Sequence, residues 1–166
     1  MKEYIVINGT GGSGKDTFVS LCAKYAKVYN FSSIDKVKEV ARLIDWNDEK
    51  DERSRKFLSD LKALTNEYND TPFKDMLDKA EMFRKSDSEI MFIHIREPEN
   101  IKRACDTLNA KTLLIKRKGL ENIKTNYSDR SVDNYDYDEI IFNDTLENLE
   151  ISAKKYIEKL REKNNS

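Results

Sequence analysis

The sequence predicts an α/β protein, a three-layer α/β/α fold built on a five-stranded parallel sheet. Three observations carry that reading. Short β-rich runs alternate with stretches of helical apolar spacing, the rhythm of strand-helix-strand crossovers. A glycine-rich stretch at residues 9–17 joins the first strand to the first helix. Residues 90–95, IMFIHI, are almost continuously apolar, as expected of a parallel strand buried on both faces. At 166 residues the chain is long enough for one core and short for two.

The elements follow in order. Residues 4–7 form the first strand, and Phe18, Leu21, Cys22 and Tyr25 then recur at helical spacing. Residues 28–31 are a second strand, after which Val37, Val40, Ala41 and Ile44 line one face of a second helix. Phe57, Leu61, Leu64 and Tyr68 give a third helical stripe, and Phe73, Met76, Leu77 and Ala80 a fourth. Asn69, Asp70 and Thr71 make the turn between them, with Pro72 as an N1 proline. Residues 90–95 are the third strand, placed centrally, and Pro98 opens a helix carrying Ile101, Cys105 and Leu108. Residues 112–115 and 139–142 complete the strands. Asp144 is read as the N-cap of the last helix, with Glu147 three positions on and a buried stripe from Leu146 to Leu160. Residues 162–166 are expected to fray. The organisation expected is a single domain over residues 1–166, with a helical insertion at about 35–88 and a long polar loop at about 118–138.

Composition narrows the function classes. Hydrophobic residues make up 38% and charged residues 37%, mean hydropathy is −0.79, and no apolar run approaches the ~18 residues of a membrane span. Thirty basic and thirty-one acidic side chains leave a formal charge of −1, so no global field exists to hold nucleic acid by its phosphates. The opening MKEYIVINGT has an acidic Glu3 and too short an apolar stretch for a secretory signal. Cys22 and Cys105 stand outside any CxxC or Cys/His cluster, which fits a reducing compartment and no structural zinc. A cytoplasmic monomer or homodimer without membrane or nucleic-acid partners is expected.

The chemistry is concentrated in GTGGSGKDT, from Gly9 to Thr17, which fits GxxxxGK between a strand and a helix. Glycines at Gly11, Gly12 and Gly14 let backbone N–H groups, with Ser13, converge on phosphate oxygens, and the helix that follows turns its positive end to the anion. Lys15 adds a cation for the β and γ phosphates. Asp16 stands where the pattern normally has Ser or Thr, and Thr17 lies about 100° further round the helix. A carboxylate beside phosphates is intelligible if it holds Mg²⁺ directly or through water; the alternative is an acidic residue favouring the helix dipole.

A P-loop near the start, a helical insertion after the second strand, Arg96 beyond the third and a basic loop after the fourth resemble the nucleoside monophosphate kinase group of P-loop kinases. The GKD variant is similar to that of phage deoxynucleoside monophosphate kinase and animal-type phosphomevalonate kinase, and IIFNDTLENLE is similar to the close of dephospho-coenzyme A kinases. The resemblance implies an ATP- and Mg²⁺-dependent phosphotransferase acting on a small phosphorylated acceptor, foremost a nucleoside or deoxynucleoside monophosphate. Dephospho-coenzyme A or a phosphomevalonate-like acceptor, or a non-catalytic ATP-binding regulator, are the rivals. No clear acidic residue follows an apolar strand as a Walker B would, which lends the regulator some weight.

Strand ends supply further positions, since ligands in open parallel sheets occupy the crevice beyond the carboxyl ends. Arg96 is there, either bridging donor and acceptor phosphates in the transition state or pairing with Glu97 or Glu99. The resemblance implies acceptor contacts for Asp35 and Arg42, whose plain alternatives are an N-cap and a solvated side chain. Arg53 is a further acceptor-phosphate contact, with Arg55 and Lys56 beside it on what is otherwise a solvated face. Lys116, Arg117, Lys118 and Arg130 resemble a reduced lid over ATP, with Arg117 stacking on adenine and Arg130 catalytic; ordinary loop charge is the alternative. Asn143, Asp144 and Thr145 match an adenine-contacting loop in position. His94 is read as a buried, hydrogen-bonded strand residue before a base, and Trp46 as an anchor of the second helix.

Overall fold

A computed structural model describes residues 1–119 and 131–165. Its elements are β1 (Glu3–Asn8), α1 (Lys15–Cys22), β2 (Val28–Ser32), α2 (Asp35–Arg42), α3 (Glu52–Asn69), α4 (Thr71–Lys85), β3 (Ile90–His94), α5 (Pro98–Leu108), β4 (Lys111–Arg117), β5 (Glu139–Asn143) and α6 (Leu146–Asn165). The chain divides into two compact units, one formed by Met1–Asn30 with Asp87–Ser166 and the other by Phe31–Ser86.

The first unit holds the sheet, in the order β2-β3-β1-β4-β5. It is the five-stranded parallel sheet the sequence predicts. The register sets Ile5 opposite Phe92 and Lys111, and Ile115 opposite Ile141. Side chains alternate across each strand, so Ile5, Ile7, Phe92, Leu113, Ile115 and Ile141 share one face and form a single core with α1 and α6. Phe18 of α1 stands at its centre, edge-on to Phe92 and Tyr156 at 6.5 and 5.8 Å between ring centroids. Full burial of a side chain this large stabilises by about 1.5–3 kcal/mol. Val6, Met91, Ile93 and Leu114 take the opposite face, and α5, which contacts β1, contributes buried Ile101, Ala104 and Leu108. Helices on both faces make the three layers. β5 is an edge strand, with Ile141 buried and its neighbours Ile140 and Phe142 exposed.

Two expectations for α6 are corrected. Its N-cap is Thr145, whose Oγ1 accepts the Asn148 amide at 3.2 Å, while Asp144 lies one residue outside and accepts the Thr145 amide at 2.6 Å. The helix also continues to Asn165, into the segment expected to fray. Arg161 donates to the Tyr25 carbonyl at 2.9 Å, and Asn164 donates to Glu3 Oε1 at 2.8 Å, so tertiary contacts replace the missing apolar stripe.

The second unit is three helices, with α3 contacting both α2 and α4. Asp51 caps α3 by accepting the Ser54 amide at 2.7 Å. Asp70, left-handed at φ 59°, ends α3 and leads into α4, which has Pro72 in its first turn. Val37, Ala41, Met76, Ala80 and Phe83 are buried. The apolar stripe expected on α3 faces inward only in part: Phe57 and Leu61 are half-buried and Leu64 and Tyr68 are 63% and 84% exposed, whereas Lys62 is buried and donates to Ser33 Oγ at 3.0 Å. Packing between two helices rotates α3 onto its Ser54 and Lys62 side, with the lysine stem serving as apolar surface. Ile44 lies beyond the end of α2 and is exposed. Among the described residues no helix is long and apolar enough to cross a membrane.

Candidate functional site

The loop between β1 and α1 is held by side chains and carbonyls from several parts of the first unit. Asn8, the last residue of β1, accepts the Gly9 amide on Oδ1 at 2.8 Å. Its Nδ2 donates to the Arg96 carbonyl at 3.2 Å and to the Tyr137 hydroxyl at 2.8 Å, and Tyr137 in turn donates to the Val132 carbonyl at 2.9 Å. One asparagine thus ties the start of the loop to the segments after β3 and before β5. Burial pushes the Tyr137 phenol up to about 12, so it stays a neutral donor. Gly9 packs where a Cβ would sit 2.7 Å from the Ile115 carbonyl oxygen.

Further along, the Ser13 amide closes a turn on the Thr10 carbonyl at 3.1 Å. Gly14 takes φ 93°, and a Cβ there would collide with Asn143 Nδ2, which donates to the Ser13 carbonyl at 2.9 Å. Gly14 is also the N-cap of α1 and offers no side-chain cap, so the loop presents the positive end of the helix. Ser13 Oγ is buried without a hydrogen-bond partner among the described residues.

A cleft of about 370 Å³ opens over this loop. Gly12, Ser13, Gly14, Lys15, Asp16 and Thr17 line it, with Arg117 at the end of β4 and Asn143, Asp144, Leu146 and Leu149 where β5 passes into α6. The structure therefore brings together every cofactor-contact residue expected from the sequence except Gly11, which belongs to the loop but not to the lining. Leu146 and Leu149, which the sequence places in the core stripe of α6, line the cleft as well. The signal in the sequence is their position in the first turn of a helix that follows directly on a strand end. Asp144 is held charged by the Asn148 side chain and the Thr145 amide, with Lys118 adding to the effect.

On the other side of the loop stands His94, the last residue of β3. Its Nε2 lies 2.7 Å from Asn30 Oδ1, and its Nδ1 lies 3.6 Å from Asp16 Oδ1. Burial lowers its pKa to about 4; Lys15 and Arg96 add to the fall, and Asp16 opposes it. The ring is therefore neutral near pH 7 and does not form an ion pair with Asp16. Because Asn30 presents an acceptor, the ring proton resides on Nε2 and Nδ1 carries a lone pair. Arg96 lies two residues beyond β3, close enough to His94 to act on its charge.

In the second unit, Asp35 opens α2 and accepts the Ser32 amide at 2.8 Å, the N-cap being Ile34. Arg42 ends α2, donates to Asp48 from Nε at 3.0 and 3.2 Å and from Nη2 at 2.6 Å, and sets its guanidinium 5.6 Å from the Trp46 ring centroid. Arg53 is exposed in the first turn of α3. Arg130 and most of the expected lid lie outside the described residues; beside them, Lys116 pairs with Asp133 at 3.0 Å.

No protein-family profile and no curated sequence matches the chain. Solved structures do. TT1252 from Thermus thermophilus is similar at a TM-score of 0.53 and 16% identity, over 96% of this chain and 98% of that one. A candidate kinase from Chloroflexus aurantiacus gives 0.53 and 14%, over 99% and 96%. Shikimate kinase from Aquifex aeolicus gives 0.49 and 13%, over 98% and 99%. At these identities the likeness to the two structures at 0.53 shows a shared α/β fold and leaves the chemistry to the residues.

Proposed function

We propose that the protein is an ATP- and Mg²⁺-dependent phosphotransferase that passes the γ-phosphoryl group to a small phosphorylated acceptor, foremost a nucleoside or deoxynucleoside monophosphate. One observation carries the reading: a glycine loop, shaped so that Gly14 admits no side chain, delivers the uncapped first turn of α1 and Lys15 to a cleft of about 370 Å³. Convergent amides, a positive helix end and a mobile ammonium are what a polyphosphate requires.

In this reading the amides of residues 12–17 and Lys15 hold the β and γ phosphates, and Leu146 and Leu149 give the base an apolar floor beside Arg117 and Asp144. Asp16, 86% exposed on the cleft side of α1, is the carboxylate for Mg²⁺, which when bound neutralises charge on the phosphates. Arg96, and Arg130 from the lid, stabilise charge on the transferring group; Asp35, Arg42 and Arg53 take the acceptor. No covalent enzyme intermediate is needed, since phosphoryl transfer is positioning plus electrostatics. In this reading the protein is cytoplasmic and works on small molecules.

Incubation with Mg-ATP and a panel of nucleoside monophosphates, dephospho-coenzyme A and phosphorylated mevalonate tests this. ADP formed only with an acceptor is the expected result. Tight ATP binding with no product from any acceptor would leave a nucleotide-sensing protein instead.

A further inference from the structure

Among the charged groups at the loop, the Asp16 and His94 pair has a geometry that transfer chemistry alone does not explain. A carboxylate oxygen and an imidazole Nδ1 point at one another across 3.6 Å, and no hydrogen bond among the described residues reaches that nitrogen. We propose that Asp16 Oδ1 and His94 Nδ1 form a mixed oxygen and nitrogen seat for one divalent cation, which takes Mn²⁺ or Co²⁺ more tightly than Mg²⁺; the inference rests on the phosphotransferase reading for the nucleotide that completes the shell.

Three features of the pair favour a cation. Two ligand atoms at about 2.1 Å from one metal stand roughly 3.0–3.4 Å apart for angles between 90° and tetrahedral, so the observed gap needs a shift of a few tenths of an ångström. Asp16 can supply it, being 86% exposed, while the His94 side chain is only 10% exposed and fixed in its strand. The second ring nitrogen donates to Asn30 Oδ1, the outer-shell bond that orients a metal-binding histidine and raises its basicity.

The choice of metal follows from ligand type. Mg²⁺ prefers an all-oxygen shell and keeps its water, whereas imidazole suits ions further along the Irving–Williams series. A seat with one nitrogen therefore separates ions that an aspartate alone would treat alike. Two protein ligands leave room for phosphate oxygens and water.

Pulsed electron paramagnetic resonance of Mn²⁺ bound to the full-length protein, with and without a non-hydrolysable ATP analogue, reads the seat directly. A modulation from one directly bound ¹⁴N is expected, and it disappears in His94→Gln. Titration of free Mn²⁺ should show affinity reduced about tenfold or more in that variant and in Asn30→Ala, with Mg²⁺ affinity changed less than about twofold. Mn²⁺ that binds without ¹⁴N coupling, or Mg²⁺ that binds as tightly as Mn²⁺, overturns the seat and leaves the phosphotransferase reading standing. ¹⁴N coupling in a protein that fails to bind the analogue overturns that reading and the shared shell with it. The wild-type spectrum decides the matter even if the variants do not fold.

Discussion

Asn143, the last residue of β5, donates its side-chain amide to the carbonyl of Ser13 in the phosphate loop, joining positions 130 residues apart in sequence. The same nitrogen occupies the space a Gly14 side chain would need. The loop's shape therefore depends on the end of the sheet as much as on its own glycines. Asn143→Leu leaves the Ser13 carbonyl without its donor and is expected to weaken ATP binding about tenfold or more, read by calorimetry. Gly14→Ala is expected to cost at least about 1 kcal/mol from its positive φ alone, seen in denaturant unfolding. Unchanged ATP affinity in the first variant would detach β5 from the loop.

Lys15→Ala should lower turnover by about 10²–10³ while the fold, followed by circular dichroism, stays intact. A variant that used ATP at the normal rate would place the phosphate-binding cation elsewhere.

Asp16→Ala should raise the Mg²⁺ concentration needed for half-maximal activity. An unchanged metal titration would return Asp16 to a purely local part in the first turn of α1.

His94 makes stability depend on pH in the metal-free protein. Its pKa falls from 6.5 when unfolded to about 4 when folded, so between these values the unfolded chain binds a proton the native state does not. Stability then rises with pH across this window: full above about 6.5, it is lost progressively as pH falls to about 4, by up to roughly 3 kcal/mol. Urea unfolding at pH 7 and pH 4.5 measures it, and His94→Gln should flatten the difference. An equal slope in both proteins would assign the acid sensitivity to other groups.

If Arg42 takes the acceptor as proposed, its pair with Asp48 competes for that guanidinium. Asp48→Asn should therefore lower KM for the acceptor with thermal stability unchanged, because an exposed pair contributes little to folding. Arg42→Ala should raise KM instead, and steady-state kinetics on the two variants separates this from a structural part.

The sheet and its loop were legible because both are local: β-rich runs mark the strands, and the GxxxxGK spacing places the glycines between strand and helix. The burial of Lys62 in place of Leu64 was not, since an amphipathic stripe says that a helix has two faces and not which one its neighbours cover. Thr145 displaced Asp144 as cap because either residue type serves and only the chain's path chooses. The pairing of His94 with Asp16 and Asn30 is tertiary. Nothing in the composition of three separate segments announces that they meet at one end of the sheet.

Trp46 is the chain's sole tryptophan, and the guanidinium above it belongs to a residue assigned here to acceptor capture. Drawing that cation off the indole changes the ring's electrostatic surroundings, so the second unit comes with its own optical reporter. Fluorescence would then register acceptor arrival in real time, with no dye attached and no turnover required.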